Sequence, residues 1–74
     1  MLNLYGTENC HLCEDAQLVL REAGLSWRDV EISEDDALLA RYGTKIPVLL
    51  RPDSGDELCW PFGVQEVQDF MQSP

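Results

Sequence analysis

Two periodicities alternate along this chain and predict seven elements of secondary structure. Short apolar or alternating runs bounded by turn residues are typical of strands, and apolar residues three to four positions apart are typical of helices. In chain order, the pattern predicts strands at residues 2–5, 27–32, 46–50 and 58–60, and helices that begin near residues 10, 33 and 64.

The order of these elements, β-α-β-α-β-β-α, predicts an α/β fold with a four-stranded mixed sheet flanked by helices. A helix joins the first two strands, which are therefore expected to run parallel. The turn residues Pro52–Gly55 are expected to join the last two strands as an antiparallel hairpin. Because 74 residues are enough for only one domain, residues 1–74 are predicted to form a single domain.

The first predicted helix has one apolar stripe and recognisable ends. The stripe comprises Leu12, Ala16, Val19, Leu20 and Ala23. Asn9 is the expected N-cap and Gly24 the expected residue just past the C-terminus, whereas Leu18 lies off the stripe. For the second helix, an acidic residue three positions after Ser33 predicts the start, and Gly43 predicts the end.

The charge of the chain narrows the range of functions. Five Lys and Arg residues stand against 14 Asp and Glu residues, which gives a formal net charge of −9. Such an acidic surface repels phosphate backbones and anionic lipids, so neither nucleic acid nor a membrane is an expected partner. No apolar run is long enough to span a bilayer and no secretory signal is recognisable, so the expected location is cytoplasmic.

The candidate chemistry lies in a close pair of cysteines, Cys10 and Cys13, between the first strand and the first helix. The N–H groups and dipole at a helix start stabilise negative charge, which favours a thiolate at Cys10. The nearby acidic residues Glu8, Glu14 and Asp15 act in the opposite direction, because negative charge disfavours a thiolate. Cys13 lies one turn further on, close enough to attack a mixed disulfide formed on Cys10. The pattern therefore predicts Cys10 as the nucleophile and Cys13 as the less exposed, resolving thiol.

Two other interpretations of the cysteines stay open at this point. They could be inert core thiols, although a loop-to-helix junction is not a typical core position. They could also belong to a structural zinc site, but Cys10, His11 and Cys13 are too close together to supply four tetrahedral ligands. Because the chain has no second cysteine pair, no metal is predicted. No resident cofactor is expected either.

The segments Cys10–Ala16 and Tyr42–Leu49 resemble the glutaredoxin and thioredoxin superfamily, above all short bacterial glutaredoxin-like proteins with a Cys-His-Leu-Cys motif. The resemblance covers nearly the whole chain and implies the minimal thioredoxin fold, with strand order 2-1-3-4. It also implies that the first cysteine attacks, that the second resolves, and that a cis peptide bond precedes Pro47. In the family, the backbone of the residue before this proline, here Ile46, pairs with a bound peptide or glutathione.

Some positions depart from typical glutaredoxins. His11 and Leu12 replace a Pro-Tyr pair, and Glu8 and Asn9 stand where a basic residue is usual. Trp60–Val64 replaces the Gly-Gly-x-Asp segment that holds the γ-glutamyl end of glutathione. We therefore expect glutathione to bind weakly and treat it as a candidate reductant rather than a cofactor.

Several side chains have two interpretations each. A protonated His11 would favour the thiolate, whereas a neutral His11 is an exposed spacer. Trp60 is either a lid over the cysteines or a core aromatic residue. Cys59 is expected to pair near Val48 on the fourth strand. It is therefore predicted to be a buried bystander between sheet and helices, with a third redox thiol as the alternative. Arg41 and Lys45 are candidates for binding the carboxylates of glutathione, with solvated surface charge as the favoured interpretation.

Together these observations predict a thiol–disulfide oxidoreductase whose substrate groove includes His11, Ile46, Pro47 and Trp60. Its expected partners are a disulfide-containing protein or small molecule and, as electron donor, glutathione or a reductase. One alternative is a thioredoxin-fold adaptor, which the retained cysteine pair and Ile-Pro turn disfavour. The other is a glutathione-assisted iron–sulfur carrier, which the resolving Cys13 and the absent glycine-rich segment disfavour.

Overall fold

A computed structural model describes residues 1–72 and contains the seven elements in the predicted order. The strands are β1 (Leu2–Gly6), β2 (Trp27–Glu31), β3 (Val48–Leu50) and β4 (Glu57–Cys59). The helices are α1 (His11–Glu22), α2 (Asp36–Tyr42) and α3 (Val64–Gln72). The largest change at a strand boundary is in β3, which begins at Val48 rather than at Ile46.

The four strands form one mixed sheet in the order β2-β1-β3-β4, as the resemblance implied. β1 and β2 are parallel, and Tyr5 lies opposite Val30. β3 is antiparallel to both β1 and β4, so that Val48 lies opposite Tyr5 on one side and Cys59 on the other. The start of β3 therefore lies at the same end of the sheet as the end of β1, from which the chain continues to the cysteines.

The ends of α1 correct one prediction and confirm another. The N-cap is Cys10 itself, not Asn9, because its backbone is extended and its sulfur accepts a hydrogen bond from the N–H of Cys13. Asn9 instead has a positive φ of 58°, a conformation that asparagine adopts more readily than most residues. Gly24 follows the C-cap Ala23 with a φ of 74°, as expected for a glycine just past a helix.

The start of α2 also differs from the prediction, whereas its end does not. Its N-cap is Asp35 rather than Ser33, and the Asp35 carboxylate accepts hydrogen bonds from the N–H groups of Ala37 and Leu38 at 2.9 and 3.2 Å. Aspartate caps a helix as well as serine does, so the nearer residue takes the role. Gly43 is the C-cap, as predicted.

The main core lies between the sheet and the pair of helices α1 and α3. Its buried side chains are Leu2, Leu4, Ala16, Leu20, Leu49, Phe62 and Val67. In α1 the buried positions are Cys13, Ala16 and Leu20, so the inward stripe begins at Cys13. Leu12, predicted to begin that stripe, is instead 48% exposed, and the off-stripe Leu18 is 56% exposed.

A smaller core lies on the opposite face of the sheet, under α2. It buries Ile32, Tyr42 and Val48. The ring of Tyr5 stacks on that of Tyr42, with centroids 4.6 Å apart. The hydroxyl of Tyr42 donates a hydrogen bond to the carboxylate of Glu57 on β4, so this core ends in a polar contact at the outer strand.

Cys59 is exposed, and the prediction that it is buried was wrong. Its pairing with Val48 is as expected, and the register places both residues on the α2 face of the sheet. The smaller core reaches Val48 on β3, whereas β4 lies beyond it as the outer strand. Cys59 therefore lies on the expected side of β4, but no helix covers this end of the α2 face.

No helix within residues 1–72 is both long and apolar enough to cross a bilayer.

Candidate active site

The two cysteines at the start of α1 are joined as a disulfide. Their Cα atoms lie 5.2 Å apart, one helical turn along the chain. Cys10 is half-buried at the loop-to-helix junction, whereas Cys13 is only 7% exposed. The predicted difference in exposure between the two thiols is therefore confirmed.

The start of α1 is directed at the sulfur of Cys10. The N–H of Cys13 donates to Sγ of Cys10 at 3.2 Å, and Cys10 is the N-cap residue of α1. In the reduced protein, a thiolate at this position would keep that donor and the favourable end of the helix dipole. The arrangement thus favours negative charge on the outer sulfur and not on the inner one.

Gly6, at the end of β1, leaves the space that the inner sulfur occupies. A Cβ atom placed on Gly6 would lie 2.8 Å from Sγ and 3.4 Å from Cβ of Cys13. Any other residue would therefore displace Cys13 or the end of the strand. The sequence carries no signal for this role of Gly6, because its contact with the second cysteine arises in the tertiary structure.

Ile46 and Pro47 precede β3 and are linked by a cis peptide bond, as the resemblance implied. Pro47 is buried and Ile46 half-buried. The N–H of Trp60 donates to the carbonyl oxygen of Pro47 at 3.1 Å, which ties the end of β4 to this turn. A second cis bond, between Trp60 and Pro61, had no signal in the sequence.

Trp60 and His11 take different positions around this end of the fold. The ring of Trp60 packs against the main core and meets Phe62 edge-to-face, with centroids 5.0 Å apart. This contact supports the interpretation of Trp60 as a core aromatic residue. The side chain of His11 is 97% exposed, and its Nδ1 lies 3.7 Å from the carboxylate of Glu14.

A groove of about 260 Å³ runs along the edge of the sheet and reaches Cys13 from the β2 side. Its lining includes the acidic residues Glu8, Asp29 and Glu31. The Asp29 carboxylate accepts hydrogen bonds from the amide of Gln17 at 3.1 Å and the indole of Trp27 at 2.8 Å. Cys13 therefore borders an anionic groove. Part of the negative charge of this groove, that of Asp29, is engaged in hydrogen bonds.

Glu31 is the most strongly perturbed acid in this groove. Its pKa is lowered to about 2, chiefly by the hydrogen bond from the backbone N–H of Ser33 and next by one from the side chain of Thr7. The backbone N–H of Glu8 also donates to it, at 3.0 Å. Glu31 is thus fully ionised at neutral pH. No signal in the sequence singles it out, because Thr7 and Glu8 lie on a segment that is distant from it along the chain.

The structure also locates the two basic residues, Arg41 and Lys45. Arg41 lies 3.7 Å from the carboxylate of Glu57 and 5.4 Å from the ring centroid of Tyr42, so it has partners on the α2 face. Lys45 is exposed.

The part of the chain that the structure describes has no group of three or more His, Cys, Asp and Glu side chains that could hold a metal ion.

Comparisons with known proteins agree with this architecture. The model of the family described as a glutaredoxin-like domain (DUF836) matches residues 1–72. The X-ray structure of target protein XcR50 from X. campestris is 37% identical to this chain, covers 100% of both chains and has a TM-score of 0.94. Protein Ne2328 from Nitrosomonas europaea is 28% identical, with 97% of this chain and 89% of that one covered and a TM-score of 0.72.

A more distant structure shares the fold alone. The glutaredoxin (grx-1) from Archaeoglobus fulgidus is 13% identical, covers 97% of this chain and 86% of its own, and has a TM-score of 0.66. No curated protein matches the chain significantly.

Proposed function

The chain belongs to the glutaredoxin-like domain family, and on that basis we propose that it is a thiol–disulfide oxidoreductase that works through Cys10 and Cys13. The observation that carries the proposal is the asymmetry of the pair. The outer sulfur accepts the Cys13 N–H at the helix start, whereas the inner sulfur is buried. A partly exposed thiolate and a shielded second thiol are what exchange through a mixed disulfide requires.

In the proposed reaction, the Cys10 thiolate attacks one sulfur of a substrate disulfide. That disulfide bond breaks, a bond forms between Cys10 and the attacked sulfur, and the other sulfur leaves as a thiolate that takes up a proton. Cys13 then loses its proton and attacks Sγ of Cys10, which releases the second substrate thiol and leaves the Cys10–Cys13 disulfide. Two electrons pass to the substrate, and two thiols of an external donor return them.

The proposed substrate is a disulfide in a protein or small molecule, bound against the turn that contains Ile46 and Pro47. The antiparallel register of β1 and β3 supports this position, because it brings the turn to the end of the sheet where β1 leads into the cysteines. The exposed His11 and the half-buried Trp60, whose ring also packs on Phe62, complete the proposed substrate groove. Glutathione or a reductase enters the proposal as electron donor, without a resident cofactor, and the proposed setting is the reducing cytoplasm.

Mass spectrometry of cysteine variants tests the division of roles. Because Cys59 is an exposed free thiol, all variants carry Cys59→Ser, so that adducts report only on the active pair. After incubation with a small disulfide, Cys13→Ser is expected to retain a stable mixed disulfide on Cys10, and Cys10→Ser to form little or none. The opposite result would reverse the roles. Absence of any adduct, with no oxidation of the unmodified pair, would contradict the oxidoreductase proposal and favour an adaptor.

The electron donor is tested by a disulfide-reduction assay run in parallel with two systems. One contains glutathione and its reductase, and the other contains thioredoxin reductase. The glycine-rich segment that binds glutathione is replaced by Trp60–Val64. We therefore expect glutathione to bind the reduced protein with a dissociation constant above about 1 mM. Saturable binding tighter than that in a calorimetric titration would contradict this expectation.

A further inference from the structure

Glu31 connects the end of β2 to the loop that leads into the active cysteine. Its Oε1 accepts the backbone N–H of Glu8 at 3.0 Å, and its Oε2 accepts that of Ser33 at 3.0 Å. Thr7 adds a side-chain hydrogen bond. The carboxylate therefore ties together two segments that are 23 positions apart, and one of them ends two residues before Cys10.

The neighbourhood of Glu31 explains why this tie bears on the cysteines. Glu31 lies opposite Gly6 in the parallel pairing of β1 and β2, and the Ile32 N–H donates to the Gly6 carbonyl at 3.0 Å. Gly6 in turn leaves room for the sulfur of Cys13. Glu8, Glu31 and Cys13 line the same groove, so the loop held by Glu31 is one wall of the space beside the inner cysteine.

From these contacts we propose that Glu31 is a positioning residue for the redox pair, which holds the loop before Cys10 so that its sulfur stays at the start of α1. The inference rests on the proposed function and adds a residue to it. Glu31 does not touch the reacting sulfurs in this account. It acts through the Thr7–Glu8 backbone, and its low pKa keeps it an acceptor of both N–H groups throughout the range in which thiols exchange.

Substitution of Glu31 is expected to shift the equilibrium between disulfide and dithiol in the direction opposite to that of a simple charge effect. A negative charge near Cys10 disfavours the thiolate, so removal of that charge alone stabilises the reduced protein. Loss of the tie, in contrast, lets Cys10 leave the cap and lose the Cys13 N–H, which destabilises the reduced protein. A stabilised reduced form makes such a pair more oxidising, and a destabilised one makes it more reducing.

The test measures the equilibrium between the Cys10–Cys13 disulfide and dithiol in mixtures of reduced and oxidised dithiothreitol, a probe that needs no glutathione site. Glu31→Ala is expected to shift the equilibrium constant about threefold toward the protein disulfide, the size of a charge effect at a helix start. Glu31→Gln, which keeps one accepting oxygen, is expected to give a smaller shift in the same direction. Glu8→Gln is the matched control, because it removes a charge from the same groove but keeps the backbone donor, and it should move the equilibrium slightly toward the dithiol.

Thermal unfolding of each variant separates positioning from general stability, because a merely structural role lowers the unfolding temperature without moving the redox equilibrium. Equilibrium constants for both Glu31 variants that equal the wild type, or that move toward the dithiol as in Glu8→Gln, would overturn the inference alone. A wild-type pair that does not exchange with dithiothreitol at all would overturn the proposed function together with it.

Discussion

The two faces of the β-sheet differ in how completely they are covered. On one face, α1 and α3 bury a continuous set of apolar side chains from both central strands. On the other, the single helix α2 covers a smaller core of Ile32, Tyr42 and Val48. That core ends at the hydrogen bond between Tyr42 and Glu57, and Cys59 beyond it is exposed.

This difference separates the two kinds of cysteine in the chain. Cys13 faces inward on α1 at the edge of the well-covered face, where burial and the space above Gly6 hold it in one position. Cys59 lies on the open part of the other face, on an outer strand. The thiol that we propose to resolve a mixed disulfide thus lies in the packed layer, and the thiol without a proposed role lies outside it.

Adjacent residues of β3 give the largest contrast between the faces. Leu49 and Val48 are both 0% exposed, but they belong to the larger and the smaller core, respectively. Leu49→Ala is expected to lower the free energy of unfolding by about 3–4 kcal/mol, within the usual range for a buried leucine. Val48→Ala, which removes two carbons rather than three on the less covered face, is expected to cost about 1.5 kcal/mol.

Urea unfolding of both variants measures the two values. The two variants are compared by the loss of unfolding free energy per carbon atom removed, which we expect to be larger for Leu49→Ala. A loss per carbon that is equal or larger for Val48 would show that the α2 face is as tightly packed as the other.

The polar end of the smaller core is the next largest effect. Tyr42→Phe removes the hydroxyl that donates to Glu57 and is expected to cost about 1–2 kcal/mol, less than for a fully buried charged acceptor because Glu57 is partly exposed. Tyr5→Phe keeps the ring stack and serves as the control, with a change below about 0.5 kcal/mol. Equal losses in the two variants would contradict a specific role for the Tyr42 hydroxyl.

The same hydroxyl predicts a response to alkaline pH. Burial, followed by the hydrogen bond from Tyr42 to Glu57, raises the pKa of Tyr42 from 10.0 to about 12. A raised pKa in the folded protein means that the contribution of the neutral hydroxyl is complete below pH 10 and is lost as the pH rises toward about 12. The ultraviolet absorbance change of tyrosine ionisation, compared between wild type and Tyr42→Phe, should show one group that titrates late.

Acid unfolding tests the polar rim of the well-covered face. The pKa of Glu31 is lowered from 4.5 to about 2, chiefly by the N–H of Ser33. A lowered pKa means that the stabilisation is present above about pH 4.5 and is lost as the pH falls toward about 2. The stability advantage of wild type over Glu31→Gln should therefore shrink across this window in urea titrations. A constant advantage over Glu31→Gln down to pH 2 would contradict the assigned hydrogen bonds.

The smallest expected effect concerns Cys59 on the open face. Cys59→Ser should change the unfolding free energy by less than about 0.5 kcal/mol, as for a typical surface substitution. In the oxidised protein, iodoacetamide should label Cys59 under native conditions, because it is the free cysteine and is exposed. Protection of Cys59 until the protein is unfolded would show that this face is covered in solution. A dominant disulfide from Cys59 to Cys10 or Cys13 would instead give it a redox role.

The periodicities determined the order of the elements, because apolar spacing reports which side of each helix or strand is buried. They were sufficient for the α/β class and the hairpin, and the spacing of Cys10 and Cys13 with the strand before and the helix after was sufficient to locate the candidate site. The strand order 2-1-3-4 and the cis bond before Pro47 required the family resemblance, since spacing alone does not fix the neighbours of a strand. That Cys10 rather than Asn9 is the N-cap of α1 was not predictable, because the side chains of both residues can accept an N–H at a helix start.

The tertiary structure alone decided which faces were closed. The hairpin correctly pairs Cys59 with Val48, but only the position of α2, whose side chains reach Glu57 on β4 and leave Cys59 uncovered, determined that Cys59 is exposed. The contact between Gly6 and Cys13 and the tie from Glu31 to the Glu8 backbone join segments distant in sequence. A single sequence records the chemistry of each residue and its local period, whereas such contacts depend on how the layers pack, which no local pattern contains.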